Sequence, residues 1–418
     1  MKFAETLKQQ ALNVAANYTQ EDALRPVRSE ALARLKEAHF PHRRVEAWKY
    51  TSVRALEAGH LEQVAKPFAA AKLPEAQFQH RLVFINGIYS EENSTSLPEG
   101  VALELIDGHT ALNGAEAELT TPFALLNSAT LDHGAVLKVA DNTQVQAPVE
   151  VLFLSEAEAP SHCHARLQVE LGENSQLALL EHYSGQGPVL TNAVTTLKGD
   201  TNSQLVHYRV QREATDSLHI GTLVVLPGER SDFQSYQLMH GTTLRRNDVR
   251  VVIEHENTNF SQKGVFVGAE KHHADNQVSV EHRVPNSTSN MVYKGMAAGQ
   301  CTLTFNGSIH IHPGASQTVA DLTNNNLQLN RGATVNSKPE LIIYNDDVQC
   351  SHGTTFGQLD EDAIFYLRSR GIDAQEAENI LSLAFIDEVL NAMPHETLAQ
   401  WARPWLVDVL AKAKAEES

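Results

Sequence analysis

Cysteine is scarce in this chain of 418 residues, which contains only Cys163, Cys301 and Cys350. Three thiols cannot build a disulfide framework, and so low a count is typical of proteins in a reducing cytosol. The first residues carry charges where a secretory peptide needs an apolar run. No apolar stretch of about eighteen residues, the length that crosses a membrane, is present either. We therefore expect a cytoplasmic protein without a membrane span.

Basic residues are also in the minority. The chain has 33 Lys and Arg against 51 Asp and Glu, a formal net charge of −18 at pH 7. A surface of this sign repels the phosphates of nucleic acids and the headgroups of anionic lipids. We therefore expect neither nucleic acid nor a membrane as a partner.

Several catalytic signatures are missing from the sequence. There is no phosphate-binding loop of the Gly-x-x-x-x-Gly-Lys-Ser/Thr type, so we expect no ATP hydrolysis by this chain. The nucleophile elbow Gly-x-Ser-x-Gly, the zinc motif His-Glu-x-x-His and the dinucleotide fingerprint Gly-x-Gly-x-x-Gly are absent too. These absences argue against an autonomous enzyme.

Regularly spaced turns dominate the middle of the chain. Short runs rich in Val, Ile, Leu, Thr and Tyr alternate with turns centred on Gly or Asn at positions 172, 199, 228, 257, 286 and 314, which are 27 to 29 residues apart. A further turn at 332 breaks this period. A fixed period built from strands predicts a parallel β-helix over residues 148–350, with stacked coils. A β-sandwich with long hairpins is the alternative.

The two flanks of this β-rich region read as helical. We divide the chain into a helical region 1–80, a β-rich region 81–357 and a helical region 358–418. Asp360 and Asp373 are placed as N-caps of two helices, and Gly371 ends the first of them. We expect these flanks to cover the open ends of the solenoid, because uncovered strand edges pair with other chains.

The C-terminal helices are more apolar than a surface cap needs. Pro404 is expected to split the last one or to lie in a first turn. Either the apolar stripes pack on each other, or they also dock a partner protein. The candidate docking residues are Leu381, Phe385, Leu398, Trp401 and Trp405.

The sharpest local signal is Cys350-Ser351-His352. Residues i and i+2 of a strand point to the same face, so the thiol and the imidazole stand side by side. Such a pair can hold a soft metal, an iron–sulfur fragment or a sulfur atom. Asp346 and Asp347 would make the local field negative and raise the pKa of the thiol. On its own, Cys-x-His is more often a buried cysteine beside a hydrogen-bonded histidine.

A second cysteine lies between two histidines, in His162-Cys163-His164. Strand alternation puts both imidazoles on one face and the thiol on the other. Two ligands do not close a metal site. A polar strand edge is therefore the favoured interpretation.

Residues 339–353, 357–360 and 365–372 resemble the SufB/SufD family of the Suf iron–sulfur cluster assembly system. Segments 293–295 and 306–307 fit the same family pattern, and segment 48–51 is similar to an N-terminal motif of its D-type members. Gly353 after the histidine also follows the D-type pattern, because B-type members carry an acidic residue there. The resemblance implies a right-handed parallel β-helix flanked by N-terminal and C-terminal helical regions.

The resemblance further implies a non-enzymatic scaffold subunit of a SufBCD complex. Its partners would be a SufB-type subunit and a SufC-type ABC ATPase, the latter bound through the C-terminal helices. The family's D-side residue at the cluster site corresponds to His352, with Cys350 second. The iron–sulfur cluster would be transient and shared with the partner, and reduced flavin is linked to such complexes as a whole. Isolated chains would be able to pair as homodimers.

Two other functions stay open. A pure docking module for the ATPase would have no cluster ligand of its own. A β-helix enzyme acting on acidic polysaccharides would line one face of the solenoid with repeated charges, and no such repeated Asp or Glu position is found.

Overall fold

The computed structural model describes residues 2–15, 22–42, 44–58, 62–63, 72–107, 109–110, 112 and 115–415. The α-helices are α1 (Lys2–Ala15), α2 (Arg25–Glu37), α3 (Pro122–Ala129), α4 (Glu361–Ser369), α5 (Ala374–Leu390) and α6 (Glu396–Ala415). The short strands of the N-terminal part are β1 (Glu62–Gln63), β2 (His80–Ile85), β3 (Ile88–Tyr89), β4 (Val101–Leu105) and β5 (Ala135–Val139).

Longer strands, separated only by short turns, follow from residue 149 to residue 357. They are β6 (Val149–Glu156), β7 (Ser161–Leu171), β8 (Gln176–Gln186), β9 (Val189–Gly199), β10 (Gln204–Gln211), β11 (Leu218–Leu226), β12 (Asp232–His240), β13 (Leu244–Ile253), β14 (Asn259–Gly268), β15 (His273–His282), β16 (Thr288–Ala297), β17 (Thr302–Ile311), β18 (Thr318–Gln328), β19 (Thr334–Ile343) and β20 (Val348–Gly357).

These strands form two facing sheets in which alternate strands are neighbours. One sheet, here called sheet A, has the order β19-β17-β15-β13-β11-β9-β7-β5-β4, and the other, sheet B, has the order β20-β18-β16-β14-β12-β10-β8-β6-β2-β3. From β5 and β6 onward every strand pairs in parallel with the strand two positions along the chain. Each coil thus gives one strand to each sheet, which is the predicted parallel β-helix.

The recurring turns stack at one corner of the coil, where sheet A leads into sheet B. Residues there adopt positive φ, among them Asn174, Asn202, Asn257 and Asn286. The side chains form a ladder: Asn202 Nδ2 donates to Asn174 Oδ1 at 2.8 Å. Asparagine suits this place because its short side chain tolerates the left-handed region and hydrogen-bonds locally. The turn at 332 breaks the sequence period because it joins β18 to β19, at the opposite corner.

Arg230 interrupts this ladder and supplies the first prediction. It has φ 54°, between Asn202 and Asn257 in the stack. Arg230→Asn should relieve a strained backbone and extend the amide ladder, so we expect the free energy of unfolding to rise by about 1 kcal/mol. Arg230→Ala, which keeps the strain and loses the bond from Arg230 Nε to Asn202 Oδ1 (3.0 Å), should be less stable than the parent. Urea unfolding of the three proteins decides this, and equal stabilities would contradict it.

The helical flanks cover the outer faces of the two sheets, not the ends of the solenoid as the sequence led us to expect. The N-terminal helices and α3 pack on sheet A, with Leu7, Leu35 and Leu125 in one cluster with Leu190 and Ile220. Helices α5 and α6 pack on sheet B, where their apolar side chains join those of β8, β10, β12, β14 and β16. The physical reason is that strands buried on both faces expose an apolar outer row, which the amphipathic helices bury.

The two ends of the solenoid differ. At the first coil, the sheets end in the short strands β3 and β4, which pair antiparallel with β2 and β5. This coil is called the closed end below, because very short edge strands resist pairing with another chain. At the last coil, β19 and β20 are terminal strands of their sheets. Within the described ranges, no strand pairs with their outer edges. This uncovered coil is called the open end below, and an edge of this kind is a template for pairing with another chain.

The lumen between the sheets holds a buried ion-pair cluster among apolar side chains. The Glu181 carboxylate accepts from Arg209 Nε at 2.7 Å and lies 3.1 Å from His207 Nε2. All three side chains are buried. The guanidinium beside Glu181 holds the pKa of that carboxyl well below its usual range, against the effect of burial. A similar cluster joins Glu213 to His219 and Arg245.

Buried histidines give the second prediction, a loss of stability in mild acid. Burial lowers the pKa of His282 to about 4 and that of His164 and His240 to about 3. The unfolded chain, with a histidine pKa of about 6.5, therefore binds more protons than the folded chain below that pH. Stability should fall as the pH drops from about 6.5 towards 4, by on the order of 3 kcal/mol for His282 alone.

Urea unfolding at a series of pH values measures this slope. His282→Gln keeps a polar side chain beside Ser287 and Ser289, which contact the two ring nitrogens at 2.7 and 2.9 Å. We expect this variant to lose less stability on acidification than the parent. A free energy of unfolding that stays flat between pH 6.5 and 4.5 would contradict the assignment.

Candidate functional site

Cys350 and His352 both lie on β20, the last strand of the open end. In the parallel register Cys350 is opposite Ala320 and His352 is opposite Leu322. Ala320 and Leu322 are buried core residues of the lumen. Paired residues of neighbouring strands point to the same face, so the thiol and the imidazole both face the lumen side. They share one face, as the sequence predicted, and no further coil lies over them in the part of the chain that the structure describes.

The Cys350 thiol is half-buried against the lumen core. Burial raises its pKa, and the nearby Asp321 carboxylate raises it further. Asp321 lies on β18 opposite Ser351, whose hydroxyl donates to Asp321 Oδ1 at 2.6 Å. The isolated chain therefore keeps this thiol in its protonated form, and a metal or a cationic partner group would be needed to favour the thiolate.

Asp346 and Asp347 do not act on the thiol as the sequence suggested. They lie in the turn before β20, where the Gln317 backbone N–H donates to Asp347 O and its Nε2 donates to Asp347 Oδ2, each at 2.7 Å. A strand rises about 3.3 Å per residue, so the turn is about 10 Å or more from Cys350 along the chain. The acidic neighbour is Asp321, 29 residues earlier in sequence, and only the coil period could have revealed it.

His352 is exposed to solvent. Among the described residues its imidazole has no hydrogen-bond partner, so both ring nitrogens are available to a ligand from outside. The sequence placed His352 ahead of Cys350 on family resemblance alone. The geometry adds that the imidazole is exposed to solvent, whereas the thiol is half-buried.

The other two cysteines are buried in the chain's own interior. Burial raises the pKa of Cys163 to about 11 and that of Cys301 to about 12. The Cys163 thiol is 3.3 Å from the Ser155 hydroxyl, while the rings of His162 and His164 meet edge to face on the opposite side of the strand. The thiol and the two imidazoles thus point apart, as predicted. Cys350 is the one thiol with access to a partner at the open end.

Metal ligation by this chain alone is not supported by the donor set. Within the described ranges, no three His, Cys, Asp or Glu side chains are grouped so that they could hold a metal ion. Cys350 and His352 supply two donors of the kinds that iron–sulfur clusters use. A four-coordinate iron needs more ligands than these two.

Most of the predicted docking residues face the chain's own solenoid. Leu398 and Trp405 are buried in the cluster with sheet B, and Phe385 and Trp401 are half-buried at its edge. Trp405 packs on His240, and Trp401 packs on His182. Leu398 and Trp405 are therefore not accessible to a partner, because the outer face of sheet B already covers them. Leu381 is half-buried on α5. Helix α6 runs through Pro404 without a break, contrary to the expected split.

An exposed apolar patch that the sequence did not single out lies on α4 and α5. Phe365 is 72% exposed, Tyr366 57% and Ile380 40%. Asp360 and Asp373 cap the two helices as predicted, by accepting from the backbone N–H groups of Ala363 and Glu376 among others. Contiguous exposed aromatic side chains mark an interaction surface more often than a neutral one. The three residues Phe365, Tyr366 and Ile380 are called the α4–α5 patch below.

Comparison with known proteins places this architecture in a family. The model of the SUF system FeS cluster assembly SufBD core domain matches residues 153–385, more than half of the chain. The chain belongs to the SufBD family. The match covers the solenoid from β6 to β20, the open end, α4 and part of α5.

Several curated relatives resemble the SufBD chain over nearly its whole length. An iron–sulfur cluster assembly SufBD family protein of Synechocystis is 30% identical, covering 95% of this chain and 93% of the relative. The iron–sulfur cluster assembly protein SufD of Escherichia coli is 27% identical, with 90% of each chain covered. The chloroplastic protein ABCI7 of Arabidopsis thaliana is 25% identical, with 96% and 89% covered. Membership of the family supports a role in iron–sulfur cluster assembly.

No helix in the described part of the SufBD chain is both long enough and apolar enough to span a bilayer.

Proposed function

We propose that this chain is a non-enzymatic, D-type scaffold subunit of an iron–sulfur cluster assembly complex. The observation that carries the proposal is the open end. Among the described residues, no strand pairs with the two outer edges there, and one imidazole and one thiol lie on the coil that a partner would cover. The two donors would be completed to a ligand set by a partner, and the two strand edges would be covered by that same partner.

A B-type SufBD subunit is the proposed occupant of the open end. Exposed apolar side chains line this coil, including Ile342, Ile343, Tyr344 (62% exposed) and Phe356 (58% exposed). A related β-helix would continue the sheets by strand pairing and bury these side chains, which a partner without strands would not do. A second copy of this chain has the same edges, so a homodimer is the expected state of the isolated protein.

The cluster is cargo in this proposal, not a resident cofactor. His352 contributes an imidazole ligand, and Cys350 contributes a thiol whose proton leaves as iron binds. The remaining ligands come from the partner across the interface. Because only two donors belong to this chain, any motion that separates the subunits would break the ligand set and release the cluster.

The α4–α5 patch is the proposed dock for an ABC-type ATPase of the SufC class. The patch lies directly after β20, so a force applied to α4 reaches the strand that carries His352 through only three residues, Gln358, Leu359 and Asp360. The apolar residues of α6 fasten the helical region to sheet B instead. This division gives the helices one buried face for anchoring and one exposed face for a partner.

Co-purification tests the proposal as a whole. The tagged chain is expressed in its native cell, isolated under anaerobic conditions, and its partners are identified while iron and acid-labile sulfide are measured. We expect a SufBD-family partner and an ABC ATPase at defined stoichiometry, with iron and sulfide bound to the complex and lost from the isolated chain. Recovery of the chain alone, or of a complex without an ATPase, would contradict it.

A docking module without a cluster ligand is the second candidate. The observation that favours it is the raised pKa of Cys350, since burial and Asp321 both disfavour the thiolate. On this view the open end would bind the partner while all ligands came from that partner. His352→Ala separates the two candidates. If the chain is only a docking module, this variant should assemble with its partner and carry as much cluster as wild type.

A further inference from the structure

Four polar side chains deep in the lumen have buried atoms without hydrogen-bond partners. They are both terminal nitrogens of Arg209, the amide oxygen of Gln237, both amide atoms of Gln262 and the hydroxyl of Tyr293. Each of these residues is at most 2% exposed. An unpaired buried polar atom is destabilising, and folded proteins nearly always pair such atoms with protein, water or a ligand. Four such residues in the lumen are therefore expected to have a bound water molecule or ligand as a partner.

The strand register brings these side chains together. Arg209, Gln237, Gly264 and Tyr293 follow one another across β10, β12, β14 and β16 in a single row of sheet B. Gln262 precedes Gly264 by two residues and therefore faces the lumen as well. A Cβ at Gly264 would lie 2.4 Å from Tyr293 Cε1, so the tyrosine ring lies over this glycine. Its hydroxyl is thereby directed back towards Gln237 and Arg209.

The electrostatic interaction between Arg209 and Tyr293 agrees with this placement. The Arg209 guanidinium acts to lower the pKa of the Tyr293 phenol, although burial raises that pKa overall. Arg209 Nε is held by Glu181 Oε2 at 2.7 Å, which fixes the guanidinium and leaves its two terminal nitrogens facing away from the carboxylate. Glu181 also accepts from Thr195 and Tyr183 and contacts His207, so the four acceptor sites of its carboxylate are all in use.

Donors outnumber acceptors at this point of the lumen. Arg209 offers N–H groups from two nitrogens, and Tyr293 and Gln262 add an O–H and an NH₂, while the unpaired acceptors are the amide oxygens of Gln237 and Gln262. A water molecule can accept from only two of these donors while it donates to the amide oxygens of Gln237 and Gln262. An anion accepts from all of the donors at once.

We propose that Arg209, Gln262 and Tyr293 bind a small monovalent anion of halide size inside the lumen. A single charge is specified because Glu181 already balances most of the guanidinium charge, so a divalent anion would be poorly compensated in a space without solvent. Small size is specified because the tyrosine ring fills the room above Gly264. The same row continues from Tyr293 through Asn324 to Thr354 on β20, so the Tyr293 side of the anion site would lie two strands inside the open end.

Bromide replaces chloride as the probe. The full chain is purified and crystallised in sodium bromide, and anomalous scattering is recorded at the bromine edge. We expect a peak within hydrogen-bond distance of an Arg209 terminal nitrogen and the Tyr293 hydroxyl. Density of water size without anomalous signal, or no density at all, would overturn the proposal.

A solution experiment gives an independent reading. Thermal unfolding is followed in sodium bromide and in sodium gluconate of equal ionic strength, since gluconate is too large for the site. Wild type should unfold about 3 °C higher in bromide. Tyr293→Phe keeps the ring and removes one donor, and it should lose most of this difference. Gln262→Met serves the same purpose if the first variant does not fold.

Tyr236→Phe is the matched control. It removes a hydroxyl from the outer face of sheet B, where Tyr236 donates to Ala392 O at 2.6 Å. This variant should keep the full bromide effect even though it loses some stability. Equal bromide effects in wild type and Tyr293→Phe, or loss of the effect in the control as well, would show that the anion acts on the surface and not in the lumen.

Discussion

Replacing His352 by alanine should lower the yield of iron–sulfur cluster on the assembled complex by at least about tenfold, because the loss of a ligand weakens a metal site at least as much as the loss of an outer-shell partner. The complex of this chain with the proposed B-type and ATPase partners is reconstituted under anaerobic conditions with iron and sulfide. Cluster is read from visible absorbance and from the iron and sulfide that stay bound after desalting.

Folding should not account for this loss. The His352 side chain is exposed and has no hydrogen-bond partner among the described residues, so its removal should change the free energy of unfolding by no more than about 0.5 kcal/mol. His133→Ala is the matched control, since His133 is an exposed histidine in the loop after α3, far from the open end. Wild-type cluster yield from His352→Ala in an intact complex would favour the docking module.

A variant of Cys350, on the same strand, can be compared with His352→Ala for cluster yield. Cys350→Ser keeps the size of the side chain but removes a soft ligand, and the thiol of the isolated chain is protonated. If the thiol is a ligand, its variant should lose cluster as His352→Ala does. If Cys350 only fills the edge of the lumen core, cluster yield should stay while stability falls slightly.

The parallel β-helix could be predicted from the sequence because its coils repeat at a nearly constant period. A period of 27 to 29 residues with Gly or Asn at each turn leaves a parallel β-helix as the economical solution, and the asparagine ladder of Asn174 and Asn202 shows why those residues recur. The turn at 332 broke the pattern only because it lies at the opposite corner of the coil. Strand alternation likewise placed Cys350 and His352 on one face correctly.

Contacts between neighbouring coils could not be predicted from short sequence segments, because the contacting residues are about one coil apart in sequence. Asp321 acts on Cys350 from the neighbouring strand, where it lies opposite Ser351, and Arg209 binds its register partner Glu181. Both pairs are separated in sequence by about one full coil. Given the period, position i could have been compared with positions about 28 residues before and after it. That comparison would have shifted attention from Asp346 and Asp347 to Asp321, and it would have found the row of lumen side chains.

The apolar helices were ambiguous for a different reason. An apolar stripe indicates burial but does not say against what, so Trp405 and Leu398 looked like docking residues until sheet B was seen to cover them. Phe365 and Tyr366 entered only as part of the family motif and not as docking candidates, because two adjacent aromatic residues do not form a helical stripe. Their exposure depends on which face of α4 is turned outwards, and only the packing against α5 determines that.

The α4–α5 patch leads to the second large effect. Phe365→Glu should weaken binding of the SufC-type ATPase by at least about thirtyfold, the loss expected when an aromatic anchor at the centre of an interface is replaced. Phe365 is 72% exposed, so the charge is placed in water in the free chain and should not unfold it. Titration of the purified ATPase against the chain, by calorimetry or surface binding, gives the dissociation constant.

The control must carry the same change at another exposed apolar residue. Leu105→Glu, on β4 at the closed end, alters a side chain that is 37% exposed and should bind the ATPase as wild type does. Leu398→Glu tests the opposite idea. It places a charge in the contact between α6 and sheet B, so it should lower stability by about 3 kcal/mol or more and reduce binding only through unfolding of the helical region. Undiminished ATPase binding by Phe365→Glu would remove the patch as the dock and leave half-buried Leu381 and Phe385 as the remaining predicted contacts on α5.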